Sequence, residues 1–252
     1  MRMALHAEWT KLRTVAGPLW LLLGTAAATV ALSTVAISVV NCTARGCGGD
    51  TTKVSLMGVQ LGQALVAILA VVVISGEYSS GMIRTTVTAV PQRAAVLAAK
   101  ATALTGVVAV AATAAVLGSL LAGWLILPAP EDQALSLADG PTLRAVVGSV
   151  LYLVLVALLS LGVATAVRDS ATGIGIVLGL LYVVPVVSRT ISDPHWQRLL
   201  QKIAPMSAGL AVQATTDLPS LPISPWAGLG VTTGWAAAAL LVGGLLLRIR
   251  DA

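Results

Sequence analysis

Six stretches of this chain are long and apolar enough to cross a bilayer, and none of them contains an acidic, basic or histidine side chain. They run over about Gly17–Val40, Ser55–Gly76, Ala101–Leu127, Ala145–Val167, Ala171–Ser188 and Trp226–Leu247. Spanning the hydrocarbon core takes about 20 helical residues. No water reaches that core to satisfy backbone N–H and C=O groups, so each stretch must close its own hydrogen bonds as a helix. The fifth is the shortest, its ends blurred by glycines and by Pro185. Composition agrees: 10% of the 252 residues are charged, against about 25% in a soluble globular domain. That is too little charge to coat a water-soluble particle, which excludes a soluble enzyme, a nucleic-acid binder and a disordered scaffold. The sequence predicts an all-α integral membrane protein with six transmembrane helices in one domain over residues 1–252.

Orientation follows from the basic residues at the span ends. With the N-terminus inside, the cytoplasmic segments carry Arg2, Lys11, Arg13, Arg84, Arg93, Lys100, Arg168, Arg248 and Arg250, and the outside carries Arg45, Lys53, Arg144, Arg189, Arg198 and Lys202. Both termini are therefore predicted to be cytoplasmic, and the net charge of +5 reads as topology rather than as affinity for nucleic acid. A signal peptide is the competing reading of Arg2, Lys11 and Arg13, with Ala26–Ala28 as the cleavage site. The apolar run continues to Val40, however, well past a signal core of about 7–15 residues.

Several chemistries lack their residues. A phosphate-binding P-loop needs Gly-Lys-Ser/Thr at the mouth of a helix, and none of Lys11, Lys53, Lys100 and Lys202 follows a glycine. There is no H-E-x-x-H, and His6 and His195 lie outside the spans. The chain is thus expected to be no enzyme, to bind no cofactor or metal, and to leave any ATP and Mg to a partner. Proton-coupled carriers place ionisable groups inside their helices; here the nearest, Glu77 and Asp169, are expected at cytoplasmic span ends.

The polar residues between spans carry more information. Leu5, Trp9 and Leu12 recur at helical spacing in residues 1–16, with Arg2, Glu8, Lys11 and Arg13 on other faces. Such a stretch suits an amphipathic helix lying in the membrane interface, or simply a basic, topology-setting N-terminus. Residues 77–100 form the main cytoplasmic loop. An acid and a tyrosine at the membrane edge lead to a Ser-Ser-Gly break, a short amphipathic stretch over Met82–Val90, and Pro91. A helix held there between two spans would transmit force from a soluble partner; a plain basic loop is the alternative. Gln60 and Gln63 share a face of the second span, with Gly58 and Gly62 as a close-packing seam roughly opposite. The amides are candidates for a substrate pathway or for an interhelical hydrogen bond. Gly175/Gly179 and Gly230/Gly234 repeat the seam spacing and are expected to pack. Outside, Cys42 and Cys47 are close enough in sequence for a disulfide. Asp193 and Pro194 read as the start of a short helix in the outer loop 189–225, with Trp196, Leu199, Leu200 and Ile203 as its apolar stripe.

Glu77-Tyr78-Ser79-Ser80-Gly81-Met82-Ile83-Arg84, followed by Val90-Pro91-Gln92-Arg93, resembles the first cytoplasmic loop of ABC-2 type transporter permeases. Met82 departs from the family, which more often has Thr after the glycine. Further segments are similar to actinobacterial members: Glu8–Arg13 to their entry helix, Pro205–Gly209 to their last outer loop, Ser224–Leu229 to their final span, and Leu247–Ala252 to their C-terminus. The resemblance implies a multi-pass subunit of a bacterial cytoplasmic membrane, pairing with a second permease subunit and with separate ABC ATP-binding subunits. It implies that Glu77–Arg93 is the coupling helix that docks on the ATPase. Glu77 would anchor the junction of span and loop, Arg84 and Arg93 would face the partner or lipid headgroups, and Tyr78, Ser79, Ser80, Gly81 and Pro91 would complete the ATPase-coupling set. The expected function is export of an amphipathic substrate (drug, lipid or peptide). A non-transporting immunity or sensor subunit and an ion-coupled carrier are the alternatives.

Overall fold

The computed structural model describes residues 16–39, 42–43, 46–47, 50–79, 93–126 and 139–249. The N-terminal stretch with Leu5, Trp9 and Leu12 lies outside them, as do Ser80, Gly81, Arg84 and Pro91. Six described helices are long and apolar enough to cross a membrane, so the chain is an all-α, multi-pass membrane protein. In order, the elements are α1 (Ala16–Val39), a minimal hairpin of β1 (Cys42–Thr43) and β2 (Gly46–Cys47), α2 (Thr51–Ser55), α3 (Val59–Ser79), α4 (Arg93–Ile126) and α5 (Gly140–Val167). The fifth span joins α6 (Ser170–Leu178) to α7 (Val184–Thr190) through a π turn, Gly179–Val183. Then come α8 (Pro194–Ile203), α9 (Pro205–Leu210), two 3₁₀ turns and the last span, α10 (Pro225–Ile249).

Span boundaries differ from the sequence reading in an informative way. The second span starts at Val59 rather than Ser55, because Thr51–Ser55 is a separate helix capped by Asp50, and the backbone turns at residues 56–58. The third starts at the loop, with Arg93, instead of at Ala101, and the fourth at Gly140 instead of Ala145. Glu77, Lys100 and Arg144 thereby lie within the helices, against the expectation of charge-free spans. Hydropathy averages miss this, because a charge with a partner can be held where an isolated one cannot.

Local chemistry sets the breaks. Arg168 ends α5 in the left-handed region at φ 64°, its N–H bonded to Ala164 O. Asp169 caps α6, its carboxylate accepting the Thr172 N–H at 2.8 Å. Hydrogen bonds from the Thr172 side chain, then from its backbone, hold the Asp169 carboxyl below the usual carboxylate range. Pro185 has no N–H to continue the ladder and its ring crowds the carbonyl four residues back; the widened π turn just before it absorbs that defect.

The fourth span is the centre of the bundle, with 67% of its most apolar stretch buried, and the fifth is peripheral at 17%. Lipid tails are as apolar as leucine, so close backbone approach and interhelical hydrogen bonds must hold such helices together. At Gly162 of α5, a Cβ would stand 2.4 Å from the Ala239 carbonyl carbon of α10; at Gly243, one would stand 2.6 Å from the Gly162 oxygen. Gly58 and Gly62 do pack, onto Thr29 of α1, and Ser33 accepts the Gly58 N–H at 3.1 Å. Gly175, Gly179, Gly230 and Gly234 meet nothing within 4 Å, so the two further seams expected to pack face away from the bundle. Two segments singled out in the sequence meet each other: Gly228 lies against the Ala208 carbonyl, and Thr232 donates to Pro205 O at 3.2 Å.

Gly162→Ala should lower the melting temperature of the detergent-purified chain by several degrees, since the obstacle is backbone and forced overpacking costs about 1–3 kcal/mol. Gly230→Ala, with open space around it, should leave the melt unchanged.

Candidate functional site

The polar groups gather at three levels of the bundle. At the end that carries residues 79 and 93, Glu77 lies in the last turn of α3. Lys100 lies seven residues into α4, about 10 Å along its axis at 1.5 Å per residue. Lys100 Nζ donates to Glu77 Oε1 at 2.7 Å, and the two residues are 1% and 4% exposed. Each ion alone at such a place costs several kcal/mol of lost hydration, which only close pairing and further hydrogen bonding offset. The pair therefore ties α3 to α4 across the mouth of the 80–92 segment. Beside it, the Arg168 guanidinium sits over the Tyr78 ring, 5.3 Å from its centroid. A left-handed non-glycine residue costs about 1–2 kcal/mol, which a cation–π contact of about 0.5–2 kcal/mol can largely offset. Glu77 and Tyr78, adjacent in sequence, thus fasten the end of α3 to α4 and to the end of α5.

In the middle of the bundle, Tyr152 of α5 donates its hydroxyl to Gln63 Oε1, and Tyr182 of the π turn donates to the Gln60 carbonyl. Tyr152 and Gln63 are fully buried. Gly209 makes room for the phenol, since a Cβ there would stand 2.4 Å from its ring. Among the described residues, Gln63 Nε2 has no hydrogen-bond partner. The Gln63 side chain is committed to a helix–helix contact, whereas Gln60 is half-buried.

At the opposite end, Asp50 both caps α2, accepting the Lys53 N–H at 3.0 Å, and accepts the Thr215 N–H, the Thr215 hydroxyl at 2.7 Å and the Thr216 N–H at 3.2 Å. Arg144 reaches the next carbonyl, Ala214 O, at 2.7 Å, and Gln213 bonds Ser149 at 3.0 Å. These contacts clamp residues 213–216 against the starts of α2 and α5. The β1–β2 pairing sets Cys42 opposite Cys47, a backbone register across which a disulfide can form. The α8 helix begins at Pro194, with Asp193 accepting the His195 N–H at 2.8 Å.

Of the residues assigned to the loop, Glu77, Tyr78 and Ser79 complete α3, and Arg93 begins α4. Sequence reasoning missed Lys100 as the partner of Glu77, having placed it at the tail of the loop. The available signal was the symmetry of one acid and one base at the inner edges of two consecutive spans. It also missed the Tyr78–Arg168 contact and the role of Asp50, whose partners lie far along the chain and leave no local pattern. At this end the described residues join α3 to α4 through one closed ion pair, on the helix ends that border residues 80–92. Comparison with known proteins returned no match, neither among family models nor among curated proteins.

Removing one charge strands the other, so Glu77→Leu or Lys100→Met alone should destabilise the chain by about 3–5 kcal/mol. The double variant Glu77→Leu/Lys100→Met should recover most of that loss. Thermal unfolding in one detergent reads all three.

Proposed function

We propose that this chain is the membrane-spanning permease subunit of an ATP-driven exporter of the ABC-2 type. The observation that carries the reading is the buried Glu77–Lys100 pair at the mouth of residues 80–92. A segment bracketed by two helices locked together in this way is a handle through which an external protein can move both. The resemblance of Glu77–Arg84 and Val90–Arg93 to the first cytoplasmic loop of ABC-2 permeases supports it independently. With no Gly-Lys-Ser/Thr in the sequence, this reading gives the energy source to a partner.

In this reading residues 80–92 face the cytoplasm and dock on an ATP-binding subunit, with Arg84 and Arg93 meeting its surface or the lipid headgroups. ATP and Mg are bound there, not here. Closure of two ATP-binding subunits displaces the loop, and the Glu77–Lys100 pair passes the displacement into α3 and α4 as one body. The cavity between two permease subunits then changes its opening from inside to outside, carrying an amphipathic substrate across. The clamp around Asp50 holds the other end of the bundle while the loop end moves.

One observation favours a second reading. A carboxylate and an ammonium buried within spanning helices are the kind of groups that ion-coupled carriers use, and Glu77 and Lys100 are such groups. In that case a proton gradient alone would drive substrate across.

Co-expression with a candidate ATP-binding subunit separates the readings. The wild-type chain should retain that subunit through affinity purification, and Arg84→Ala should weaken the association about tenfold. Substrate uptake by vesicles that contain the purified chain alone, driven by a pH gradient, would overturn the exporter assignment.

A further inference from the structure

Near the end of the bundle that carries residues 93 and 249, α4 and α10 diverge and leave a cleft of about 350 Å³. Leu97, Ala98 and Ala101 form one wall; Leu241 and Leu245 form the other, with Gly244 between them and Arg248 at the rim. Depth comes from Gly244: a Cβ built there would lie 3.5 Å from Leu97 Cδ2, so any larger side chain would fill the floor. Leu241 and Leu245 are 67% and 56% exposed, which places the cleft on the outer perimeter of the bundle. Arg248, in the last turn of α10, is exposed.

We propose that this cleft seats an anionic phospholipid, with an acyl chain along its apolar walls and the phosphate on Arg248. Basic pockets between transmembrane helices at the headgroup level select anionic lipids in general. The first turn of α4, whose Ala94 also lines the cleft, adds the positive end of a 34-residue helix. Charge decides between occupants. Residues 1–16 carry Arg2, Lys11 and Arg13 against Glu8, so that segment would bring positive charge to a positive rim. A second copy docked through the same face would bring a second Arg248, and so more positive charge, to the interface. A lipid phosphate is complementary, and its tail matches a wall with no polar side chain below the rim. The proposal does not depend on the transport reading and survives its failure.

Native mass spectrometry of the full-length chain, with equimolar phosphatidylglycerol and phosphatidylcholine added, tests it. The wild type should retain one phosphatidylglycerol in preference to phosphatidylcholine. Arg248→Gln should lower that retention about fivefold, the weight of one basic group at an anionic membrane surface, and abolish the preference. Gly244→Leu should lower retention of both lipids, while Arg189→Gln, at the other end of the bundle, should change neither. Equal retention of the two lipids by the wild type would overturn the proposal. So would wild-type retention in both cleft variants. A photo-crosslinker at position 245 that captures residues 1–16 or a second copy, rather than lipid, would overturn it as well.

Discussion

The Glu77–Lys100 ion pair holds the two helices on either side of residues 80–92 in a fixed relation, and the mechanism proposed for this chain depends on that relation. The pair sits where neither residue is exposed by more than 4%, so it cannot open without bringing water in or stranding an ion. In a high-dielectric setting such a bond would be a weak tether that thermal motion breaks readily. Buried, it is stiff, because the alternative to the closed state is several kcal/mol away. In the proposed mechanism, this tether would carry a push on residues 80–92 into both helices.

The rest of the bundle is fastened by other means. Hydrophobic burial gives no preference for helix against helix over helix against lipid, so specificity comes from shape and from polar groups. Gly162 and Gly243 let α5 and α10 touch backbone to backbone. Tyr152, admitted by Gly209, carries a hydroxyl across to Gln63 of α3. Around Asp50, three hydrogen bonds gather residues 215 and 216 onto the cap of a five-residue helix. Among the described residues, one end carries this web of short hydrogen bonds, and the other carries an ion pair and a cation–π contact on the helices that border residues 80–92.

How much of this the sequence disclosed depended on whether the cause was local. The existence and order of the six helices were legible, because an apolar run in lipid has no other way to satisfy its backbone. The cap at Asp193 was legible because Asp followed by Pro is a local helix-start signal. The charges were misjudged. Reading spans as uncharged runs moved their edges inward and hid Glu77, Lys100 and Arg144 in loops, whereas the helices run on past them. Glycine spacing misled in part: Gly58 and Gly62 pack on α1 as a seam should, but Gly175, Gly179, Gly230 and Gly234 face outward, while α5 and α10 meet through single glycines, Gly162 and Gly243, that no spacing marked. Spacing along one helix says which residues share a face, not which face meets a neighbour.

The central claim is that the ion pair transmits the partner's motion, and coupling measured in proteoliposomes tests it most directly. ATP hydrolysis and substrate export would be followed together in the reconstituted complex, for the wild type, for Glu77→Gln and for the exchanged pair Glu77→Lys/Lys100→Glu. The account predicts that Glu77→Gln keeps hydrolysis but loses most of its export, and that the exchange restores export by restoring the pair. Export by Glu77→Gln at the wild-type ratio of substrate to ATP would contradict it.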